Sequence, residues 1–175
     1  MEKTSELLAR LPEEAKDLRI NAKRVLEGES LNTEQTWGAA LAAAYYIRHR
    51  ELSAALLADA KAAGISDGIL EDARAAASIM GMNTIYYRFR HLMNSDAYNQ
   101  RAANLRMMRM KQVATTSANF ELFSIGPAAL AGCEMCLKAH EAAVKKDGLN
   151  EDNVHDVVRI SAILHGVAVA LDAIL

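Results

Sequence analysis

Across 175 residues proline occurs twice, at Pro12 and Pro127, alanine is the dominant residue, and no convincing run alternates apolar with polar side chains. Alanine surrenders no side-chain freedom in a helix, so such a chain gains most by coiling every segment and packing helix on helix. The fold class expected is all-α, one helical domain over residues 1–175, long enough to bury a substantial core.

Taken in order, Pro12 opens a first amphipathic helix that carries Ala15, Leu18, Ala22 and Val25-Leu26 and stops at Gly28. Thr33 with Gln35 and Thr36 begins a second, ending near Arg48-His49-Arg50, and a third runs from about Leu52 to Ala63 before Gly64. A long fourth helix follows from Ile69 to about Asn94, with Ser66 or Asp67 as its cap and a bend or close helix contact at Gly81. Its Met80–Arg88 segment reads first as core packing, because methionine and aromatic residues at helical spacing usually serve that purpose.

Arg101, Arg106, Arg109 and Lys111, interleaved with Leu105, Met107, Met108 and Met110, suggest a helix with a solvated basic side. Asn119 is the expected cap of the next helix, which Gly126-Pro127 should break or kink before Cys133. Asn150 and Glu151 start a closing pair of helices, with a bend or break at Gly166.

A faint repeat runs through this series. Laying Lys61–Asp67 over Lys145–Glu151 pairs Gly64 with Gly148 and cap with cap, and further along Asp72 meets Asp156 and Ile79 meets Ile163. The units would span about 33–94, without cysteine, and 117–175. In this register His49 lies opposite Cys133, Leu52 opposite Cys136, Leu56 opposite His140 and Trp37 opposite Glu121, so the first copy is chemically silent.

The second copy holds the only two cysteines, in the run Gly132-Cys133-Glu134-Met135-Cys136-Leu137-Lys138-Ala139-His140. On a helix, Cys133, Cys136 and His140 fall at i, i+3 and i+7, which stacks a dithiol and a base on one face. A helix start at Cys133 would expose that thiol to unpaired backbone N–H groups, and His140 sits one turn beyond Cys136. Either device can lower a thiol pKa from about 8.5 into the range of about 3.5 to 7.5. An oxidised thiol beside a reduced one condenses to a disulfide, which an external dithiol can reopen, so the residues suffice for a peroxidase or dithiol-relay cycle. Glu121 lies upstream across the expected break. A fold-back would let it orient His140; by itself it reads as a first-turn glutamate favoured by the helix dipole.

Other classes are narrowed by charge and hydropathy. The balance of 20 Lys+Arg against 22 Asp+Glu, with no basic block or acidic tail, points to neither nucleic acid nor an anionic membrane. The apolar stretch from Val157 onward is interrupted by Arg159, His165 and Asp172, which favours a buried helix over a span. The first residues lack a secretory pattern, so a cytoplasmic location is expected, where a lone CxxC is catalytic or metal-binding more often than structural. The rival to redox chemistry is zinc held by Cys133, Cys136 and His140 with Glu121 or water as the fourth ligand. A helical binding module with a passive cysteine pair is a third reading.

The segments Leu11–Asp17, Glu34–Gly38, Met80–Arg88, Asn119–Leu122 and Gly132–Glu141 resemble those of the alkyl hydroperoxidase D proteins, in the carboxymuconolactone decarboxylase-like superfamily. The most specific element is an upstream glutamate, CxxC and histidine in that order. The resemblance implies an all-helical homotrimer and an antioxidant peroxidase with no bound cofactor. Dihydrolipoamide would be its external reductant. Electrons would pass from lipoylated dihydrolipoamide acyltransferase and dihydrolipoamide dehydrogenase to the peroxiredoxin alkyl hydroperoxide reductase C. It further implies that Cys136 attacks the peroxide, that Cys133 donates a proton and closes the disulfide, and that His140 with Glu121 relays protons. Where the family often has a histidine between the cysteines, this chain has Met135. Decarboxylase-like, non-redox chemistry is the alternative inside the superfamily.

Overall fold

The computed structural model describes residues 1–174, and among them there are nine α-helices and no β-strand. They are α1 (Glu2–Leu8), α2 (Lys16–Glu27), α3 (Thr33–Ile47), α4 (Arg50–Ala62), α5 (Asp67–Met93), α6 (Asp96–Asn99), α7 (Ser117–Leu130), α8 (Glu134–Lys146) and α9 (Glu151–Asp172). The helix α1 has no counterpart in the sequence reading. Asp59 of α4 holds its first turn, accepting from the backbone N–H groups of Lys3 at 3.0 Å and Thr4 at 2.7 Å.

Helix α3 is the axle of the bundle, packed against α4, α5, α7 and α9. Ala39 to Ala44, Leu41 included, are all fully buried. Their small side chains let four neighbours approach one helix, and Gly38 takes the tightest crossing, beneath the Phe123 ring of α7. The start of α3 is a capping box. Asn32, not Thr33, is the cap: its side chain accepts from Gln35 N at 2.9 Å while Gln35 Oε1 accepts from Asn32 N at 3.1 Å.

Four expectations from the sequence fail here. First, residues 101–107 form no helix; Ala103, Leu105 and Met107 are half-buried while Asn104, Arg106 and Met108 are exposed. The segment is an irregular strap, with Asn104 in the left-handed conformation at φ +50°, followed by a single 3₁₀ turn at Met108–Lys111. Nor is its basic side merely solvated, because Arg109 reaches back to Asp72 at 2.8 Å and Glu71 at 3.0 Å. Second, α7 runs unbroken through Gly126-Pro127 to Leu130. Gly126 instead permits a close crossing, since a Cβ there would collide with Ser161 of α9. Third, Thr116 rather than Asn119 caps α7, its Oγ1 accepting from Asn119 N at 3.1 Å. Fourth, α9 is one helix rather than a pair. Gly166 leaves room for Leu18 of α2, and Val157, Ile160, Leu164, Val167 and Leu171 are buried. Gly81 lies within the single helix α5, and a Cβ added there would meet nothing within 4 Å.

Helices α3, α4 and α5 begin at 33, 50 and 67, and α7, α8 and α9 begin at 117, 134 and 151, each 84 residues later. Gly64 and Gly148, at φ +75° and +92°, end α4 and α8 in the same way, with the N–H groups of Ile65 and Leu149 returning to the carbonyls of Ala60 and Val144. Two buried aspartates cross-link the halves. Asp72 of α5 accepts from the N–H groups of Ala114 (2.9 Å) and Thr115 (2.8 Å) and from Thr115 Oγ1 (2.7 Å), just ahead of α7. Asp156 of α9 accepts from Ser30 N (2.9 Å) and Oγ (2.7 Å), just ahead of α3. Burial pushes both carboxyls up, but these donors, with Arg109 and Arg159 beside them, outweigh it and hold both below the ordinary value.

Candidate active site

The helix reversal between α7 and α8 builds the site. Gly132, at φ +63°, occupies the left-handed position of a Schellman turn in which Gly132 N–H bonds to Ala129 O and Cys133 N–H to Ala128 O. The chain then turns back at once into α8, whose N-cap is Cys133, so α8 lies along α7. The fold-back needed to bring Glu121 to the cysteines is therefore three residues long, Ala131 to Cys133, and comes at Gly132 rather than Pro127.

Cys133 Sγ accepts from the backbone N–H of Cys136 at 3.4 Å, the bond a side-chain cap makes. In the register of the two halves its counterpart is His49, the cap of α4, whose Nδ1 accepts from Leu52 N at 3.1 Å. The same turn geometry is thus filled by sulfur in one half and by imidazole in the other. Cys133 and Cys136 are joined as a disulfide with Cα atoms 5.3 Å apart. Cys133 is wholly buried, whereas Cys136 opens on a cavity of about 280 Å³ that it lines with His140.

Glu121 sits in the second turn of α7, not the first, so the dipole no longer accounts for it. Its Oε2 lies 2.6 Å from His140 Nδ1, and the histidine side chain is 7% exposed and the glutamate 17%. A carboxylate on Nδ1 fixes the proton there, which leaves Nε2 of the neutral ring as an acceptor. The arrangement is a base held by an orienting carboxylate next to a cysteine sulfur, which on reduction of the disulfide has the pattern of an activated nucleophile. All four residues singled out in the sequence are therefore gathered in one place. Among the described residues no three His, Cys, Asp or Glu side chains form a metal-binding group.

Reading Met80–Arg88 as core holds only in part. Met80 and Thr84 are buried, Met80 against Cys133 and Cys136, and Thr84 Oγ1 bonds to Met80 O at 2.7 Å. Asn83 and Tyr87, on the same face of α5, line the Cys136 cavity together with Met107, Met110, Met135 and Ala139. The strap between α6 and α7 thus supplies one wall through Met107 and Met110. Nothing in its sequence marks that role, because the contact depends on the tertiary path of an irregular segment.

Residues 97–175 match the carboxymuconolactone decarboxylase family. Along nearly its whole length the chain is similar to proteins named alkyl hydroperoxide reductase AhpD. It is 47% identical over 163 residues to one from Anaeromyxobacter sp. (strain Fw109-5), covering 93% of this chain and 88% of the relative. The identity is 44% over 167 residues with one from Rhodospirillum centenum, covering 95% and 89%. It is 38% over 167 residues with one from Solibacter usitatus, covering 95% and 94%. With identity at this level over 93–95% of its length, the chain belongs to the AhpD family, and the carboxymuconolactone decarboxylase model matches its second half.

Proposed function

We propose that this protein reduces alkyl hydroperoxides through the Cys133–Cys136 pair, the activity named for its relatives. The observation that carries the reading is that Cys136, and with it His140, opens on a largely apolar cavity while Glu121 holds the far nitrogen of that histidine. Cys136 attacks as thiolate, with Nε2 of His140 as the nearby base. Cys133, behind it at the helix start, condenses with the sulfenic acid and releases water. The helix N-terminus favours Cys133 as the more acidic thiol, and access favours Cys136, which lines the cavity while Cys133 is wholly buried.

In the same reading dihydrolipoamide reopens the disulfide. Electrons then travel from lipoylated dihydrolipoamide acyltransferase, recharged by dihydrolipoamide dehydrogenase, to a peroxiredoxin of the alkyl hydroperoxide reductase C type. A homotrimer accords with a row of apolar side chains, Ile85, Phe89 and Leu92, left exposed on α5. Descent from a duplicated three-helix unit accords with the constant 84-residue offset and the crossed aspartates. In it the first unit serves as scaffold.

The test is turnover of cumene hydroperoxide with dihydrolipoamide. Cys136→Ser and Cys133→Ser should each abolish it, and normal turnover in either variant contradicts the disulfide cycle. Zinc content measured on the same preparations addresses the metal alternative: stoichiometric zinc that resists chelators would replace the redox reading.

A further inference from the structure

Of the two polar residues of the Cys136 cavity that the disulfide cycle leaves unused, Asn83 and Tyr87, Asn83 is the buried one. It lies on α5 three residues after Met80 and four before Tyr87, on the face turned to α8, and is 4% exposed. Its Oδ1 is buried without a hydrogen-bond partner, and its Nδ2 has only the thioether of Met110, at 3.8 Å. A buried amide oxygen left unpaired is destabilising, and leucine would fill the same space without that penalty. Its neighbour Thr84 shows the contrast, bonded to both Met80 O and the Tyr46 hydroxyl. Apart from the Tyr87 phenol, the rest of the wall, Met107, Met110, Met135 and Ala139, offers hydrocarbon and weakly accepting sulfur.

We propose that Asn83 is the hydrogen-bonding site for the peroxide group of the substrate, and that Met107, Met110 and Met135 receive its organic arm. The inference rests on the reading of Cys136 as the attacking thiol. A hydroperoxide, R–O–OH, carries an O–H donor and, on the adjacent atom, an oxygen acceptor. A carboxamide presents an acceptor and a donor side by side, so the two groups are complementary. Met110, with three rotatable side-chain bonds, yields its place at Nδ2 when the ligand enters.

In the bound state Oδ1 accepts from the terminal O–H and turns that oxygen toward Cys136. The thiolate attacks it, the S–O bond forms as the O–O bond breaks, and the electron pair leaves on the R–O oxygen. Nδ2–H of Asn83 donates to that developing alkoxide, and protonated His140 neutralises it. The products are the Cys136 sulfenic acid and the alcohol ROH.

The test compares two reactions of the pre-reduced protein by stopped flow with thiol quenching. One is oxidation by cumene hydroperoxide; the other is exchange with oxidised lipoamide, a disulfide with no O–H to place. Asn83→Leu and Asn83→Ala should slow the first at least about tenfold, the loss of one hydrogen bond to a developing charge, and change the second less than about twofold. Wild-type rates with cumene hydroperoxide in both variants would overturn the assignment. So would an equal fall in both reactions, which would make Asn83 a shaping residue only. Failure of the underlying redox reading shows in the wild type itself, as thiols that cumene hydroperoxide leaves untouched, and the Asn83 assignment falls with it.

Discussion

Glu121 and His140 stand 19 residues apart in sequence and 2.6 Å apart in space, carboxylate Oε2 to ring Nδ1. The Schellman turn at Gly132 reverses the chain between them, so the pairing follows from two helices lying side by side. A positioned general base contributes about 10²–10⁴-fold. His140→Ala should therefore lower peroxide turnover by about two orders of magnitude. Glu121→Gln keeps a side chain beside the ring but removes the carboxylate that holds it, and about a tenfold loss is expected. Steady-state rates check both; wild-type turnover in Glu121→Gln would remove the glutamate from the relay.

The order of the thiols is open to direct chemical trapping. In Cys133→Ser the resolving sulfur is gone, so one equivalent of hydroperoxide should leave a sulfenic acid on Cys136 that dimedone captures. Peptide mass spectrometry should locate the adduct there. In Cys136→Ser the buried Cys133 should remain a thiol, and an adduct on it at a comparable rate would reverse the two roles.

Asp72 should contribute, with Asp59 and Asp156, to the acid limit of the fold. Its folded-state carboxyl lies below the ordinary value, so its stabilisation is complete above the unfolded pKa of about 3.9 and is lost as pH falls through the lower folded value. Wild-type stability should thus decline on the acid side of about pH 4, while Asp72→Asn, which cannot ionise, should be less stable at neutral pH and lose less on acidification. Removing the charge beside Arg109 and three donors costs about 3 kcal/mol at pH 7. Urea midpoints measured across pH 3 to about 7 for both proteins test the sign; parallel curves would contradict it.

How far the sequence reached can be seen in these same residues. The helical class, the glycine end at Gly64 and a helix start at Cys133 were legible because they rest on local chemistry, propensity and turn conformation. Gly126-Pro127 and Gly166 misled because a glycine that permits a close crossing is indistinguishable, in one dimension, from a glycine that ends a helix. The strap at 101–107 misled because Arg101, Leu105, Arg106 and Met107 have high helix propensity, while the tertiary bond from Arg109 to buried Asp72 that ties down the following turn cannot be read from the sequence. Of the site, Cys133, Cys136 and His140 were readable as one motif. Asn83 was not, since a single asparagine inside an apolar helix face carries no periodic signal.

Gly38 offers a test of packing that is independent of the chemistry. A Cβ there would enter the Phe123 ring, itself fully buried, at the centre of the bundle. Gly38→Ala should cost about 1–3 kcal/mol through overpacking despite the better helix propensity of alanine. At about 2–4 °C per kcal/mol for a chain of this size, calorimetry should show Tm lowered by several degrees. An unchanged or raised Tm would mean that the ring has room to move.

The central claim is that one pair of cysteines is spent in one reaction with one peroxide. It is tested most directly by counting thiols in the reduced wild-type protein before and after one equivalent of cumene hydroperoxide, with the alcohol product measured in parallel. The account predicts two thiols before, none after, and one equivalent of cumyl alcohol, with full recovery of both thiols on adding dihydrolipoamide. Two thiols still free after the peroxide has been offered would contradict it.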